Sequence, residues 1–152
     1  MLTTTLNKIR AHSPCNSGWT NLLKFLGKTS SDDEPLPFSK ILESNGFYDA
    51  IWCCRSAPEF DKEWRTLAVW CARQVQHLML DERSIKCLDV ADAFIAGMAA
   101  EDEMAVAYAA ARSAACDAAM SVAVATARLA AWTAVYDAAY AAQTKKFLEI
   151  VS

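Results

Sequence analysis

The last third of this chain lacks the residues that interrupt helices. No glycine or proline occurs between Met98 and Ser152, and 24 of the 52 residues from 91 to 142 are alanine. Alanine has the highest helix propensity of all residues, whereas glycine and proline have the lowest. We therefore expect residues 98–152 to be helical and the protein to be all-α.

A single helix over this whole segment would be too long for a compact domain. At about 1.5 Å per residue it would extend for roughly 75 Å, whereas a domain of this chain length is about 40 Å across. Either the segment folds back near Met120 to Thr126 into an antiparallel helix pair, or it projects as one long helix that a partner chain covers. The fold-back is preferred because it needs no partner, and small alanines let two helices approach closely.

The rest of the chain has shorter helical patterns. Residues 1–57 contain short apolar runs at helical spacing, separated by turn residues such as Gly27 and Gly46. Residues 58–97 have the pattern of two amphipathic helices. The sequence thus predicts a single helical domain over 1–152, in which the short helices, the two amphipathic helices and the Ala-rich part form a multi-helix bundle.

Local signals mark the ends of the two amphipathic helices. Ser56 and Glu59 have the spacing of a capping box, so we expect the first helix to begin there. Its apolar positions keep to one face over residues 60–79. Asp81 is expected to cap the second helix, and Gly97 is expected to end it.

Charge and hydropathy exclude several classes of partner. The net charge is −3 at pH 7, so no basic field is available to hold the phosphates of nucleic acid. No apolar run reaches the roughly 20 residues that a transmembrane helix needs. The first residues also lack the apolar core of a signal peptide. We expect a cytoplasmic protein that binds neither nucleic acid nor a membrane.

The cysteines and histidines form no familiar metal or catalytic motif. No CxxC pair occurs among the six cysteines, and the adjacent Cys53 and Cys54 are poorly placed to share one metal. We expect free, buried thiols in a reducing compartment, no metal and no cofactor. Signatures such as HExxH, GxSxG and the P-loop are absent, so we predict no enzyme. A cysteine nucleophile that acts with His77 stays open, because catalytic partners meet in space.

Charged residues are few in the Ala-rich segment. Between residues 104 and 144 only four side chains are charged, namely Arg112, Asp117, Arg128 and Asp137. One interpretation is that they form structural ion pairs or face solvent. The other is that Arg112 and Arg128 bind an anionic ligand or an acidic partner through their planar guanidinium groups.

Two aromatic patterns are further candidates for a site. Trp132, Tyr136 and Tyr140 follow Arg128 at steps of four and so share one helix face, either as a core stripe or as a platform for a ligand. Upstream, three residues at i, i+3 and i+7 form a flank that is either one wall of a groove or a set of satisfied interfacial side chains. They are Trp70, Arg73 and His77.

Several stretches of the chain resemble known protein groups. The run from Ala123 to Ala134, followed by Tyr140-Ala141, resembles the Ala-rich C-terminal core of a family of immunity proteins. That family has a histidine where this chain has Arg128. Gly18-Trp19 and the stretch Val69 to Met79 are similar to phage and prophage proteins of the same layout. The resemblance covers most of the chain.

The resemblance implies an accessory protein that acts on host or rival machinery by binding. The first hypothesis is a counter-defence protein that sequesters a small anionic, nucleotide-like immune signal, in a pocket between helices or at a dimer interface. The second is an immunity or inhibitor protein that blocks a toxin or a defence enzyme by direct contact. A structural component of a particle is a third.

The first two hypotheses share several expectations. Both predict a non-enzymatic homo-oligomer, expected to be a dimer, in the cytoplasm of the bacterial host. Its partner is either a small nucleotide-like ligand or a host or rival protein. The predicted ligand-binding residues are Trp70, Arg73, His77, Arg112, Arg128, Trp132 and Tyr136.

Overall fold

The structure is a computed structural model that describes residues 1–119 and 139–152. Two strands of two residues each, β1 (Thr3–Thr4) and β2 (Leu36–Pro37), pair antiparallel. The helices of the described residues are α1 (Leu6–Ala11), α2 (Asn16–Leu26), α3 (Phe38–Asn45), α4 (Phe47–Cys53), α5 (Asp61–Gln74), α6 (Glu82–Ile95), α7 (Glu101–Ala119) and α8 (residues 139–151). Short 3₁₀ turns lie at Cys54–Ser56, Pro58–Phe60 and Gln76–Leu78. The predicted all-α fold class is confirmed, whereas the fold-back expected near Met120 to Thr126 lies outside the described residues.

Turn residues end the helices where the sequence predicts. Gly27 follows α2 with a φ of 66°, and Gly97 follows the last turn of α6 with a φ of 74°. Gly46 separates α3 from α4 with a φ of 81°, in a region of backbone conformation that only glycine adopts easily. Asp81 caps α6, since its Oδ1 accepts a hydrogen bond of 2.9 Å from the backbone N–H of Arg83.

The start of α5 differs from the capping-box prediction. A 3₁₀ turn occupies Pro58–Phe60, and α5 begins at Asp61. Both side chains of the expected box have other partners. The Ser56 hydroxyl donates to the Cys53 carbonyl at 2.6 Å, while Glu59 pairs with Lys8 at 2.7 Å.

The end of α5 also differs from the prediction. The helix ends at Gln74 rather than continuing to Met79, and residues Gln76–Leu78 form a 3₁₀ turn. Arg73 stabilises this turn, because its Nη1 donates to Gln76 Oε1 at 2.7 Å.

The described chain divides into two compact units. The first consists of Met1–Trp64 together with Ala142–Ser152, and the second of Arg65–Ala141. The prediction of a single domain over 1–152 stays a prediction.

An aromatic cluster forms the core of the first unit. Phe147 of α8 is fully buried, and its ring centre lies 6.4 Å from that of Phe38 and 6.0 Å from that of Phe47. Trp64 stacks on Phe147 at 6.4 Å and meets Phe38 edge-on at 4.9 Å. Aromatic pairs at these distances add stability beyond the area that they bury. Helix α8 is therefore part of this core.

The two ends of the chain meet in the first unit. The backbone N–H of Leu2 donates to the carbonyl of Val151 at 2.7 Å, and the N–H of Phe38 donates to the carbonyl of Leu2 at 3.2 Å. Val151 is fully buried. The buried hydroxyls of Thr4 and Ser56 lie 2.8 Å apart and satisfy each other. The N-terminal segment thus connects the C-terminal helix to α3.

Small residues form much of the core of the second unit. Helices α6 and α7 pack together and are joined by residues 96–100, as in a helical hairpin. Among the residues of this unit whose burial the structure describes, the buried ones are Leu67, Val69, Ala91 and Ala114. Two of these four are alanines, whose small side chains let neighbouring helices approach closely. Among the described helices, none combines the length and the apolar character needed to cross a membrane.

Candidate functional site

Arg73 forms ion pairs with two carboxylates of α6. Its Nη2 lies 2.7 Å from Asp89 Oδ1 and 2.6 Å from Asp92 Oδ2, and its Nε donates to the same Asp92 oxygen at 3.1 Å. The hydrogen bonds that Arg73 donates, to Asp92 above all and then to Asp89, raise its pKa. Because four of its five N–H donors have acceptors and two carboxylates face its charge, this geometry favours the interpretation of Arg73 as a structural ion-pair residue.

His77 does not continue the helix face that Trp70 and Arg73 share. Trp70 is half-buried on α5, whereas His77 is exposed on the 3₁₀ turn beyond the end of that helix. The i, i+3, i+7 spacing places side chains together only within a continuous helix. Only Trp70 and Arg73 lie on α5, which ends at Gln74, and the groove wall expected from the three residues stays a prediction.

The outward side of α7 exposes apolar and aromatic side chains. Val106 is 71% exposed and Tyr108 is 60% exposed. Arg112 is also exposed and lies one helical turn after Tyr108, and no ion pair within the described part of the chain includes it. We call this surface the α7 face, which consists of Ala105, Val106, Tyr108, Ala109, Arg112 and Ser113.

Three predicted site residues lie outside the described residues. They are Arg128, Trp132 and Tyr136. Tyr140, the last member of that aromatic series, is half-buried at the start of the described part of α8. The roles predicted for the first three residues stay predictions.

A cavity of about 170 Å³ lies in the first unit. Its walls are mainly apolar, and the side chains that contribute to them include Ile9, Trp19, Leu22, Ile41 and Trp52. Three polar side chains also line it, namely Cys15, Asn45 and Asp49. A concave, largely apolar space with a few polar groups is typical of small-molecule sites. We call it the Asp49 cavity.

A glycine brings the polar side chains of the Asp49 cavity together. A Cβ on Gly18 would lie 2.8 Å from Asp49 Oδ2 and 3.2 Å from Cys15 Sγ, so a larger residue would displace them. The Nδ2 of Asn45 donates to Asp49 Oδ2 and to the Gly18 carbonyl, each at 2.8 Å. This site was not among those predicted from the sequence. Its one local signal is a glycine inside an amphipathic helix, which indicates a close approach.

Cys15 differs from the other described cysteines. Its Sγ accepts a hydrogen bond of 3.4 Å from the N–H of Gly18 and lies 3.6 Å from Ser17 Oγ. The Ser17 hydroxyl and then the Gly18 N–H lower the pKa of Cys15. Burial instead raises the pKa of Cys53 and of Cys54 to about 12. The expectation of buried thiols is confirmed for Cys53 and wrong for Cys15, which is exposed at the cap of α2, and the other described cysteines are half-buried.

No protein family, curated protein or solved structure matches this chain. The resemblance to immunity and phage proteins therefore stays a prediction. Within residues 1–119 and 139–152, no group of three His, Cys, Asp or Glu side chains is placed to hold a metal ion.

Proposed function

We propose that this protein is a non-enzymatic binding protein that blocks a toxin or a bacterial defence enzyme by direct contact through the α7 face. It would act in the cytoplasm of a bacterial host. The observation that carries the proposal is the exposure of Tyr108 and, at the other edge of the same side, of Val106, on a helix whose opposite side is packed in the second unit. An exposed apolar and aromatic helix face is typical of a protein-binding surface.

The residue types on the α7 face suit a protein partner. Tyrosine and arginine are enriched among the residues that contribute most to protein interfaces, and Tyr108 and Arg112 are neighbours on this helix. The alanines between them leave room for a partner backbone to approach. The acidic residues Glu101 to Glu103 at the start of α7 are exposed and would form a charged rim that attracts a basic partner.

The described residues support a small anionic ligand less well. Arg73 already binds Asp89 and Asp92, and Asp49 is the charged side chain that lines the cavity, so an anion there would be repelled. Arg112 lies on an exposed helix surface rather than in a concave pocket. We therefore place direct blocking of a protein ahead of sequestration of a nucleotide-like signal.

Site-specific photo-crosslinking in living cells tests this proposal. A photoreactive phenylalanine analogue replaces Tyr108 in one variant and the exposed Thr20 of α2 in a matched control variant. We expect one discrete adduct with a host or rival toxin or enzyme from position 108, and none from Thr20. The adduct should disappear when Arg112→Glu is added, because the charge reversal disrupts the same face.

Two results would contradict the proposal. The first is an adduct from position 108 that contains only a second copy of the chain, because the α7 face would then be the interface of the predicted dimer. The second is a rise in melting temperature with micromolar cyclic nucleotides or ADP-ribose and no adduct from position 108, which would favour ligand sequestration.

A further inference from the structure

We infer that the Asp49 cavity binds a small organic cation, in which one ammonium group is joined to an apolar body about the size of benzene. The α7 face includes none of the residues that line this cavity, so the inference does not depend on the proposed function. Size, charge and wall chemistry each limit the ligand, and together they define this class.

The volume of the Asp49 cavity sets the size of the ligand. It measures about 170 Å³. An engineered cavity of roughly 150 Å³ in another protein holds one benzene molecule, so this space suits a single ring or a short branched chain. A nucleotide is several times larger than a benzene molecule and would not fit in this cavity.

The charge of the Asp49 cavity sets the sign of the ligand. Asp49 accepts one hydrogen bond, from Asn45 Nδ2 at 2.8 Å, and no lysine or arginine of the described residues pairs with its carboxylate. Asp49 is half-buried, so its carboxylate, which has no cationic partner among the described residues, attracts a positive charge that enters the cavity. An ammonium group on the ligand supplies that charge and donates hydrogen bonds to the carboxylate.

The walls of the Asp49 cavity suit the rest of such a ligand. Ile9 and Ile41 are fully buried and offer apolar contact. Trp19 and Trp52 also line the cavity, and indole rings attract cations. Arg10 lies over Trp19 at 5.3 Å and Arg55 over Trp52 at 4.4 Å, but neither arginine lines the cavity. Asp49 is therefore the charged side chain that a ligand would contact inside the cavity.

Titration with three small probes tests this inference on the intact protein. Benzylammonium is the cationic probe, benzyl alcohol is its neutral counterpart and benzoate is the anionic one. Binding is followed at pH 7 through the NMR signals of the Trp19 and Trp52 indole N–H groups. We expect saturable shifts with benzylammonium, at least about tenfold weaker binding of benzyl alcohol, and no binding of benzoate.

Two variants link the binding to Asp49. Asp49→Asn keeps the side-chain shape and removes the charge, so we expect about tenfold weaker binding of benzylammonium or more. Asp33→Asn makes the same change on an exposed loop and should leave the affinity unchanged. A second readout is the rate at which Cys15 reacts with iodoacetamide, which bound benzylammonium should slow, since Cys15 lines the same cavity.

Several outcomes would overturn the inference. Equal binding of benzylammonium and benzoate would show that charge does not select the ligand. Shifts that persist unchanged in a folded Asp49→Asn variant would exclude a role for this carboxylate. No shift with any probe at millimolar concentration would mean that the cavity does not take a ligand of this class.

Discussion

At the scale of single residues, the surroundings of each cysteine determine its chemistry. Cys15 is exposed at the start of α2, where the Ser17 hydroxyl and the Gly18 N–H favour its thiolate. Cys53 and Cys54 lie in the interior of the first unit, where burial disfavours their thiolates. One chain thus contains both a reactive and an inert class of thiol.

We predict that Cys15 reacts with iodoacetamide well before Cys53 and Cys54 in the folded protein. A lowered pKa gives Cys15 more thiolate at neutral pH than an ordinary thiol has, while a pKa of about 12 leaves the other two almost fully protonated. Mass spectrometry of labelled peptides between pH 6 and 9 measures the order. Ser17→Ala should shift the Cys15 rate profile to higher pH, and equal rates at Cys15 and Cys53 would contradict the prediction.

The distance along the chain between partners decides which residue roles the sequence reveals. The cap at Asp81 uses the N–H of Arg83, two residues away, so the local pattern predicts it. Arg73 pairs with Asp89 and Asp92 on the next helix, and the spacing within its own helix contains no sign of them. Gly18 and Asp49 also meet only through folding, which is why the cavity was missed.

At the scale of elements, α8 places one aromatic side chain at the centre of the first core. Phe147 contacts the rings of Phe38, Phe47 and Trp64 and is 0% exposed. Its neighbour Leu148 is 39% exposed. The two adjacent positions therefore allow a matched comparison of a core residue with a surface residue on one helix.

We predict that Phe147→Ala lowers the free energy of unfolding by about 3–5 kcal/mol, because it leaves a cavity inside the aromatic cluster. Leu148→Ala should cost no more than about 1 kcal/mol. Urea unfolding followed by circular dichroism measures both changes. A similar, small loss for both variants would mean that α8 does not contribute to this core.

Element boundaries were predictable where local chemistry sets them. Gly27, Gly46 and Gly97 end helices as the sequence indicates, since a positive φ is a local requirement that glycine meets. The prediction that the helix begins at Ser56 and Glu59 is wrong, because both side chains have partners elsewhere in the chain. Ser56 lies against Thr4, and Glu59 pairs with Lys8. Strands β1 and β2 are too short to show an alternating pattern of apolar and polar residues, so the sequence did not indicate their pairing.

At the scale of the whole molecule, the all-α class followed from composition, but the role of the last helix did not. The absence of glycine and proline after residue 97 predicts helix, and α7 and α8 are helical where the structure describes them. That the chain end returns to the N-terminal unit depends on contacts of Leu2 with Val151 and of Phe38 with Phe147. Such long-range contacts do not affect the spacing of apolar residues along the chain, so the sequence pattern does not reveal them.

At this scale, the two compact units are proposed to have different roles. Under the two proposals, the α7 face of the second unit would bind a protein partner, and the Asp49 cavity of the first unit would bind a small cation. Arg112 is the predicted site residue that lies on the α7 face. Val106 and Tyr108 were not predicted as site residues, since only the structure distinguishes the exposed side of an Ala-rich helix from the packed side.

Calorimetry tests the role of the α7 face most directly. The partner captured from position 108 would be purified, and its affinity measured for the wild type, for Tyr108→Ala and for Tyr48→Ala, which removes a tyrosine that is 57% exposed in the first unit. We predict a loss of about 30-fold or more for Tyr108→Ala, equivalent to about 2 kcal/mol, and no change for Tyr48→Ala. Equal affinities of the wild type and a Tyr108→Ala variant with unchanged helical circular dichroism would contradict a partner-binding role for this face.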